Sequence, residues 1–321
     1  MNRSIFLKYL SLLTAGSTIV PSSVLVSSSY LSKLLPEVGI QLFSIPLLLN
    51  KDFEKSISMI SDMGYRYVEF FGPYYFSSQS AKDSIKDYPF PPSNNPISGF
   101  YGNKGSQVKN ILSDYNLKSP SLHTDLVTLE NHMGRLANAA LECGAQYVVL
   151  PAIPPDQRTN MDDYKRITDR FNIIGLEAKK EGISFAYHNH GYGFTKKEGL
   201  VPTEYVFDNT DSDLVFLQMD IFWTLAAGQD PIRLLNKYSN RYKLMHLKDM
   251  KENILFDGDG ESFDQWITLF PNMTSCGKGI ADIKGIINKA KDVGVKHFFV
   301  EQDMAQNPEI VLQESYDFIT S

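Results

Sequence analysis

The chain has 321 residues, of which 43% are hydrophobic and 21% charged, a balance typical of soluble globular proteins. Its formal net charge of −6 argues against a nucleic-acid-binding protein, which would normally present a basic surface. The two cysteines, Cys143 and Cys276, do not form a CxxC pair, so neither a thiolate metal cluster nor a disulfide framework is indicated. A single bridge between these two cysteines stays open.

The first thirty residues differ in composition from the rest. Arg3 and Lys8 precede or flank an apolar stretch over residues 9–20, and small residues follow, which is the order of a secretory signal peptide. The stretch is shorter than the ~20 residues that span a bilayer, so a permanent membrane anchor is the weaker interpretation. We predict a degenerate twin-arginine-like signal peptide at 1–30, with Ser4 in place of the second arginine, and a periplasmic or otherwise exported protein. Without a working leader the protein would be cytoplasmic.

From residue 38 onward, short apolar runs alternate with longer amphipathic segments. After the first run, Phe53, Ile57, Ile60 and Met63 recur at the spacing of one helix face, and Gly64 is a typical helix stop. The predicted strands are VGIQLFSI (38–45), YRYVEFFG (65–72), SPSLHTDL (119–126), AQYVVLPAI (145–153), ISFAYHNHG (183–191), LVFLQMDIF (214–222), YKLMHLKDM (242–250) and HFFVEQDM (297–304).

Eight strands that alternate with helices predict an all-parallel sheet, and eight is the number that closes a (β/α)8 TIM barrel. A doubly wound open sheet is the competing architecture. No GxGxxG turn follows the first strand, so a Rossmann nucleotide site has no support. Two connections, residues 73–105 and 251–277, are too long for plain turns. In a barrel both would lie on the catalytic rim, as lids, substrate walls or inert insertions.

Polar residues recur near the carboxyl ends of seven of the eight predicted strands, where barrel enzymes place their active sites. Burying such side chains on apolar strands is costly unless they have partners, so their concentration at one end indicates a site. In strand order they are Gln41, Glu69, His123, His188, His190, Asp220, His246, Lys248 and Glu301.

Four of these residues come from four consecutive strands and combine imidazole with carboxylate groups: His188, Asp220, His246 and Glu301. This mixture suits one divalent metal ion, and it does not choose among Mn²⁺, Co²⁺, Zn²⁺ and Fe²⁺. Each residue alone has an ordinary structural explanation as a satisfied polar side chain. The four together predict a metal site.

Several motifs carry a resemblance to a known family: YHNHGYGF, MDIFWTLAAGQDPIRLL, LMHLKDM, GKGIADIKGIINKAK and FFVEQD. They resemble the xylose-isomerase-like TIM barrels that include sugar phosphate isomerases and epimerases, over about residues 36–319. The resemblance implies one divalent metal held at the ends of the fifth to eighth strands. Asp220, His246 and Glu301 fit that ligand set directly, whereas His188 stands where a glutamate is usual.

The resulting hypothesis is a metal-dependent isomerase or epimerase that acts on a sugar or keto-sugar through an enediolate. Glu301 or His190 would act as base, with Lys248 and His123 holding hydroxyls or the developing oxyanion. Further substrate contacts are predicted for Gln41, Glu69 and Trp223.

Three alternatives stay open beside this hypothesis. The first is a lyase or dehydratase that eliminates a group from a 3-keto-glycoside or an inosose, since some members of the family resemble inosose dehydratases and 3-keto-glycoside lyases. A non-catalytic sugar-binding barrel and a metal-dependent DNA-repair endonuclease share the fold, although the acidic charge opposes nucleic-acid binding. The expected partner is a small sugar, with no nucleic acid and no stable membrane span; the oligomeric state is open.

Overall fold

In the computed structural model, which describes residues 34–35, 37–85, 96–260, 262–303 and 305–321, eight parallel strands close into a barrel. The strands are β1 (Gly39–Gln41), β2 (Tyr67–Phe71), β3 (Lys118–His123), β4 (Tyr147–Leu150), β5 (Ser184–His188), β6 (Val215–Asp220), β7 (Tyr242–Leu247) and β8 (His297–Val300). Each strand pairs with its neighbours in sequence, and β1 also pairs with β8. The predicted (β/α)8 barrel is therefore confirmed. The predicted leader at 1–30 lies outside the described residues.

Amphipathic helices connect the strands. The helix Phe53–Asp62 illustrates how: the Asp52 side chain accepts a hydrogen bond from the Lys55 amide at its start, and Ile57 and Ile60 are buried in the core. Among the described residues, no helix combines the length and the apolar character needed to cross a bilayer. The helices are Pro46–Lys51, Phe53–Asp62, Gln79–Ser84, Gly105–Asp114, Leu126–Asn131, Met133–Cys143, Met161–Lys180, Pro202–Asn209, Ile221–Ala226, Pro231–Lys237, Phe263–Leu269, Ile283–Asp292 and Pro308–Thr320.

All eight strands end earlier than the sequence predicts, and in two of them a polar side chain at the strand end caps the turn that comes next. Gln41 ends β1, and its Oε1 accepts a hydrogen bond from the Phe43 amide (3.2 Å) at the start of a 3-10 turn, Leu42–Ser44. Asp220 ends β6 in the same way and caps the helix Ile221–Ala226. The predicted ends of these strands, at residues 45 and 222, are therefore wrong.

The long connection from β7 to β8 is fastened to the barrel where it returns. A short antiparallel ribbon pairs Asp249–Met250 with Met273–Thr274. The buried Asp249 carboxylate accepts backbone hydrogen bonds from Gly277 (2.9 Å), Gly279 (3.0 Å) and Ala281 (3.1 Å). These contacts anchor the connection to the rim of the barrel. The connection also contains the helix Phe263–Leu269.

Both cysteines are buried and unbridged, so the disulfide that the sequence left open between Cys143 and Cys276 is not formed. The long connection after β2 contains the helix Gln79–Ser84, and residues 86–95 within it lie outside the described part of the chain.

Candidate metal centre and cavity

The predicted site residues meet at the carboxyl end of the barrel, at two depths. A cavity of about 440 Å³ opens there, and the predicted residues that line it are Gln41, His123, His188, His190, Trp223 and Glu301. The remaining four, Glu69, Asp220, His246 and Lys248, are buried and do not line the cavity. The structure thus places Glu69 and Lys248 among the supporting side chains, away from the surface where the sequence predicted substrate contacts.

The end of β5 is tied to the end of β6 by Asn189, the residue between the two histidines of the HNH motif. Its Oδ1 accepts a hydrogen bond from the Asp220 amide (3.2 Å), and its Nδ2 donates to Thr224 Oγ1 (3.2 Å). Asp220 Oδ1 in turn accepts the Trp223 amide (3.0 Å) as a helix cap. These bonds fix the Asp220 carboxylate and commit one of its oxygens.

The other oxygen, Asp220 Oδ2, is buried and forms an ion pair with Lys248 Nζ at 3.2 Å, but it accepts no hydrogen bond among the described residues. It lies 3.7 Å from His188 Nε2 and 3.8 Å from His246 Nδ1. Asp220, His246 and Glu301 each offer one ligand atom, and these atoms lie within 4.8 Å of one another. His123, His188 and His246 form a second group whose nitrogen atoms lie within the same distance of one another.

A buried amide sets the orientation of two histidines. Gln218, on β6, donates from Nε2 to Glu69 Oε1 (3.0 Å), so its Oε1 is an acceptor. That oxygen receives hydrogen bonds from His188 Nδ1 (2.9 Å) and His123 Nε2 (2.7 Å). In neutral His188 the lone pair is therefore on Nε2, the nitrogen that faces Asp220 Oδ2. These two acceptors face each other beside the Lys248 ammonium, and a metal ion between them would take both as ligands.

Glu69 lies at the centre of this hydrogen-bond network and is fully buried. Its carboxylate accepts from Gln41 Nε2 (2.8 Å), from Ser121 Oγ and from His246 Nε2 (2.6 Å). Burial would raise the pKa of Glu69, but the charges of His123 and His246 outweigh burial and hold that pKa well below its usual range. An ionised Glu69 therefore holds His246 with Nε2–H directed away from the candidate ligand atoms.

The electrostatics of the cluster are dominated by carboxylates. Burial disfavours a charged His246, yet Glu301 and Glu69 raise its pKa to about 10. Burial lowers the pKa of His188 well below its ordinary value, with neighbouring positive groups adding to the effect. Burial raises the pKa of Asp303 to about 7, against the opposing charge of Lys248.

Lys248 sits between three carboxylates. Its Nζ lies 3.2 Å from Asp220 Oδ2, 2.8 Å from Glu301 Oε2 and 2.8 Å from Asp303 Oδ2. Burial would lower the pKa of Lys248, but these carboxylates raise it, so the ammonium stays charged. Lys248 does not line the cavity, so it can influence a bound substrate only through Glu301 and Asp303, which do line it.

The donor set fits a divalent ion. Four buried carboxylates surround one buried lysine and His246, whose pKa is raised, so negative groups outnumber positive ones and a dication would offset the difference. The donors combine nitrogen and oxygen atoms, a set that suits Zn²⁺, Mn²⁺, Co²⁺ or Fe²⁺. Asp220, His246 and Glu301 would hold the ion, with His188 Nε2 as a fourth candidate donor.

An aromatic wall stands beside the polar cluster. His190 stacks on Trp266 with ring centroids 4.7 Å apart and an interplanar angle of 22°. His190 Nδ1 donates to the Pro151 carbonyl (2.5 Å), and burial lowers the pKa of His190 to about 3. The imidazole is therefore neutral, with its lone pair on Nε2.

Four functional candidates were not selected from the sequence: Asn189, Gln218, Trp266 and Asp303. Gln218 and Asp303 each lie two residues from a predicted site residue, Asp220 and Glu301, and strand periodicity would have placed Gln218 on the same face as Asp220. Trp266 lies in a connection without a periodic pattern, and only the length of that connection pointed to the rim.

The closed barrel with a polar cluster at the carboxyl ends of its strands defines a TIM barrel with an enzyme-like site. The model of the family described as "Xylose isomerase-like TIM barrel" matches residues 57–321, and the chain belongs to this family.

Curated relatives with matching sequence are inosose dehydratases. That of Clostridium beijerinckii is 34% identical over 97 residues, which is 30% of this chain and 32% of the relative. That of Clostridium tetani is 32% identical over 130 residues, 40% of this chain and 42% of the relative. The chain thus matches less than half the length of these curated relatives.

Solved structures share the fold. A sugar phosphate isomerase/epimerase from Parabacteroides distasonis has a TM-score of 0.69 and 22% identity, covering 94% of this chain and 100% of that one. IolI, with a bound zinc atom, has a TM-score of 0.60 and 14% identity, covering 88% and 95%. The 3-keto-D-glucoside 4-epimerase YcjR of E. coli has a TM-score of 0.57 and 13% identity, covering 88% and 98%.

Proposed function

We propose that this protein is a divalent-metal-dependent enzyme that moves the proton next to the carbonyl of a sugar or keto-sugar, giving isomerisation or epimerisation. One observation carries the proposal: the buried ligand atoms of Asp220, His246 and Glu301 lie within 4.8 Å of one another below a cavity of sugar-binding size. Membership of the xylose isomerase-like family supports an enzyme of this class.

When bound, the ion would supply Lewis-acid polarisation of a substrate oxygen. Ligation through His246 Nδ1 requires a neutral imidazole, and its Nε2–H keeps the bond to Glu69. Glu301 and His188 line the cavity, so they connect the buried cluster to the space where substrate binds.

Two side chains in the cavity are placed to carry the proton. His190 presents Nε2 with its lone pair free because Nδ1–H is bonded to Pro151. Asp303 lines the cavity and is held by Lys248. We propose that His190 accepts the proton as the C–H electrons move toward the carbonyl oxygen, and that Asp303 returns a proton at the neighbouring carbon or on the other face.

Elimination of water is the second candidate outcome, and the similarity to inosose dehydratases favours it. It begins with the same proton removal, after which a β-hydroxyl leaves with a proton. The two outcomes therefore share their first step and differ in whether the substrate regains a proton or loses water.

The experiment that tests the proposal measures hydrogen–deuterium exchange by NMR. Full-length protein is incubated in D₂O with Mn²⁺, Co²⁺ or Zn²⁺ and a panel of ketoses, an inosose and 3-keto-glucosides. Deuterium incorporated next to the carbonyl supports the proposal, and an unsaturated product identifies elimination. A metal-loaded protein that exchanges no proton in any of these compounds would favour a non-catalytic sugar-binding barrel.

Export of the protein stays a prediction from residues 1–30, which the structure does not describe. We propose that a mature exported enzyme would meet unphosphorylated sugars. The free sugar or keto-sugar is accordingly the preferred substrate class.

A further inference from the structure

The cavity above the candidate metal centre has two chemically different parts. The polar part contains His123, His188 and Glu301, which are buried. The rest of the lining is largely apolar, and its half-buried members include Phe43, Ile85, Phe263 and Phe270. A substrate that fills the cavity must therefore present polar groups at one end and an apolar surface at the other.

The aromatic side chains line the cavity from two sides of the barrel. Phe43 follows β1, Phe71 ends β2, and Phe263 and Phe270 belong to the connection from β7 to β8. Phe43 packs on Phe71 with ring centroids 5.1 Å apart. Phe263 packs on Trp266 (6.1 Å), which stacks on His190 after β5, and Phe270 packs on Trp223 (6.4 Å) after β6. Because β5 and β6 lie opposite β1 and β2 in the closed barrel, these aromatic side chains line the cavity from opposite sides of the rim.

The wall formed by the β7–β8 connection is held in place by hydrogen bonds. Trp266 Nε1 donates to the Gly260 carbonyl (2.9 Å), and the Phe256 amide donates to the Ala226 carbonyl (2.9 Å). Asp259 Oδ1 accepts the amides of Gly193 and Thr195, both at 3.0 Å. A surface fixed at so many points is preorganised for a ligand.

The volume of the cavity and the charged side chains of its lining restrict the class of ligand further. Its volume of about 440 Å³ falls in the roughly 300–1,000 Å³ range of pockets for drug-sized ligands, which are larger than one sugar ring. In the described part of the chain, the lining includes no lysine or arginine, the side chains that usually bind a phosphate group.

We propose that the substrate is a keto-glycoside with an aryl aglycone. Its sugar ring would meet the polar part of the cavity, and its aryl group would pack on Phe43, Phe263 and Phe270. This inference rests on the proposed function, since it names the substrate class of the same site.

Binding tests the inference without turnover. The two tryptophans of the chain, Trp223 and Trp266, both line the cavity, so tryptophan fluorescence reports on its occupancy. We expect the full-length protein to bind phenyl β-D-glucopyranoside at least about tenfold more tightly than methyl β-D-glucopyranoside, because the phenyl ring buries apolar area. Glucose 6-phosphate should bind no better than the methyl glucoside.

Single substitutions identify the side chains that cause the preference for the phenyl glycoside. Phe263→Ala and Phe43→Ala should each reduce the preference for the phenyl glycoside by about threefold to tenfold. Tyr75→Ala is the matched control, since Tyr75 is 72% exposed and does not line the cavity, and it should leave the preference unchanged. The wild-type comparison of the two glycosides stands even if a variant fails to fold.

Turnover of the 3-keto forms of the same two glycosides separates this inference from the proposed function. Equal binding and equal kcat/KM for the phenyl and methyl compounds would overturn the inference while the proposed function stands. A clear phenyl preference in binding, with proton exchange in neither compound, would overturn the proposed function and leave the aryl site.

Discussion

His246 Nε2 lies 2.6 Å from Glu69 Oε2, and both side chains are fully buried. A carboxylate that binds one imidazole nitrogen fixes the ring and leaves the other nitrogen for a metal ion. Here that other nitrogen, His246 Nδ1, is 3.8 Å from Asp220 Oδ2 and 2.7 Å from Glu301 Oε2. Glu69 thus acts from below the cavity on the residues that we propose as metal ligands.

Replacing Glu69 should weaken metal binding without removing a ligand. We expect Glu69→Gln to lower the affinity for Mn²⁺ or Zn²⁺ by roughly 10- to 100-fold, the usual effect of losing the partner of a metal-bound histidine. Isothermal titration calorimetry with the metal alone measures this. Ser121→Ala is the control. It removes the hydroxyl that donates to Glu69 but keeps the hydrogen bond from His246 Nε2 to Glu69, so it should change the metal affinity less. Equal affinities for Glu69→Gln and wild type would contradict the positioning role.

Gln218 should contribute mainly to stability. Gln218→Leu removes the acceptor that the N–H groups of His123 and His188 share. His123 Nε2 also lies 3.1 Å from Glu69 Oε2, so His188 is the donor left without an acceptor, at a cost of about 1–3 kcal/mol. We therefore expect a loss of roughly 1–3 kcal/mol in the free energy of unfolding, measured by urea titration. Gln313→Leu, on the half-buried face of the last helix, should stay within about 0.5–1 kcal/mol of wild type. Similar stabilities for the two variants would argue that the amide is not needed to satisfy the histidines.

His190 should affect turnover but not metal content. We expect His190→Asn to lower kcat by roughly 10²- to 10⁴-fold, the range for loss of a proton-transfer group. Metal content should be unchanged, because His190 lies outside both candidate ligand groups. His297→Asn is the control, since His297 begins β8 at the opposite end of the barrel. An unchanged kcat for His190→Asn would assign the proton transfer to another residue.

The cysteines should be unreactive in the folded protein. Burial raises the pKa of Cys143 to about 12, and burial also raises the pKa of Cys276. Both thiols are therefore protonated at pH 8, whereas only the thiolate reacts readily with Ellman's reagent. We expect two thiols to be titrated in guanidinium chloride and essentially none in the native protein at pH 8. Fast labelling of either cysteine in the native protein would contradict the burial.

The same shift predicts the sign of a stability change with pH. Because folding raises the pKa of Cys143 above its ordinary value of 9.0, its contribution to stability is fully present below pH 9 and falls as the pH rises toward 12. Cys143→Ala should show a smaller loss of stability than wild type over this range, measured by urea unfolding at fixed pH values. An equal loss in the two proteins would assign the alkaline destabilisation to other groups.

The sequence predicted the barrel and the convergence of residues because both depend on regular patterns. Eight alternations of strand and helix close a barrel, and the carboxyl ends of parallel strands then meet. Asp220, His246 and Glu301 could therefore be grouped without knowing any distance. The strand ends were less accessible, since a single cap by Gln41 or Asp220 ends a strand inside an apolar run.

The depth of each side chain could not be read from the sequence. Glu69 and Gln41 were both selected because they lie near the carboxyl end of a strand, yet Glu69 is enclosed by its hydrogen-bond partners and Gln41 lines the cavity. Whether a side chain at a strand end lines the cavity or is enclosed below it is set by packing across the barrel. Trp266 was missed for a related reason, because its place in the wall depends on the path of the whole β7–β8 connection.

The most direct test of the proposed metal centre is the metal content of the full-length protein by mass spectrometry, beside Asp220→Asn, His246→Ala and Glu301→Ala. We predict about one equivalent of a divalent transition metal in the wild type, as purified or after reconstitution with Mn²⁺, Co²⁺ or Zn²⁺, and its loss in all three folded variants. A wild-type protein that binds none of these ions, or variants that retain the full amount, would contradict the central claim.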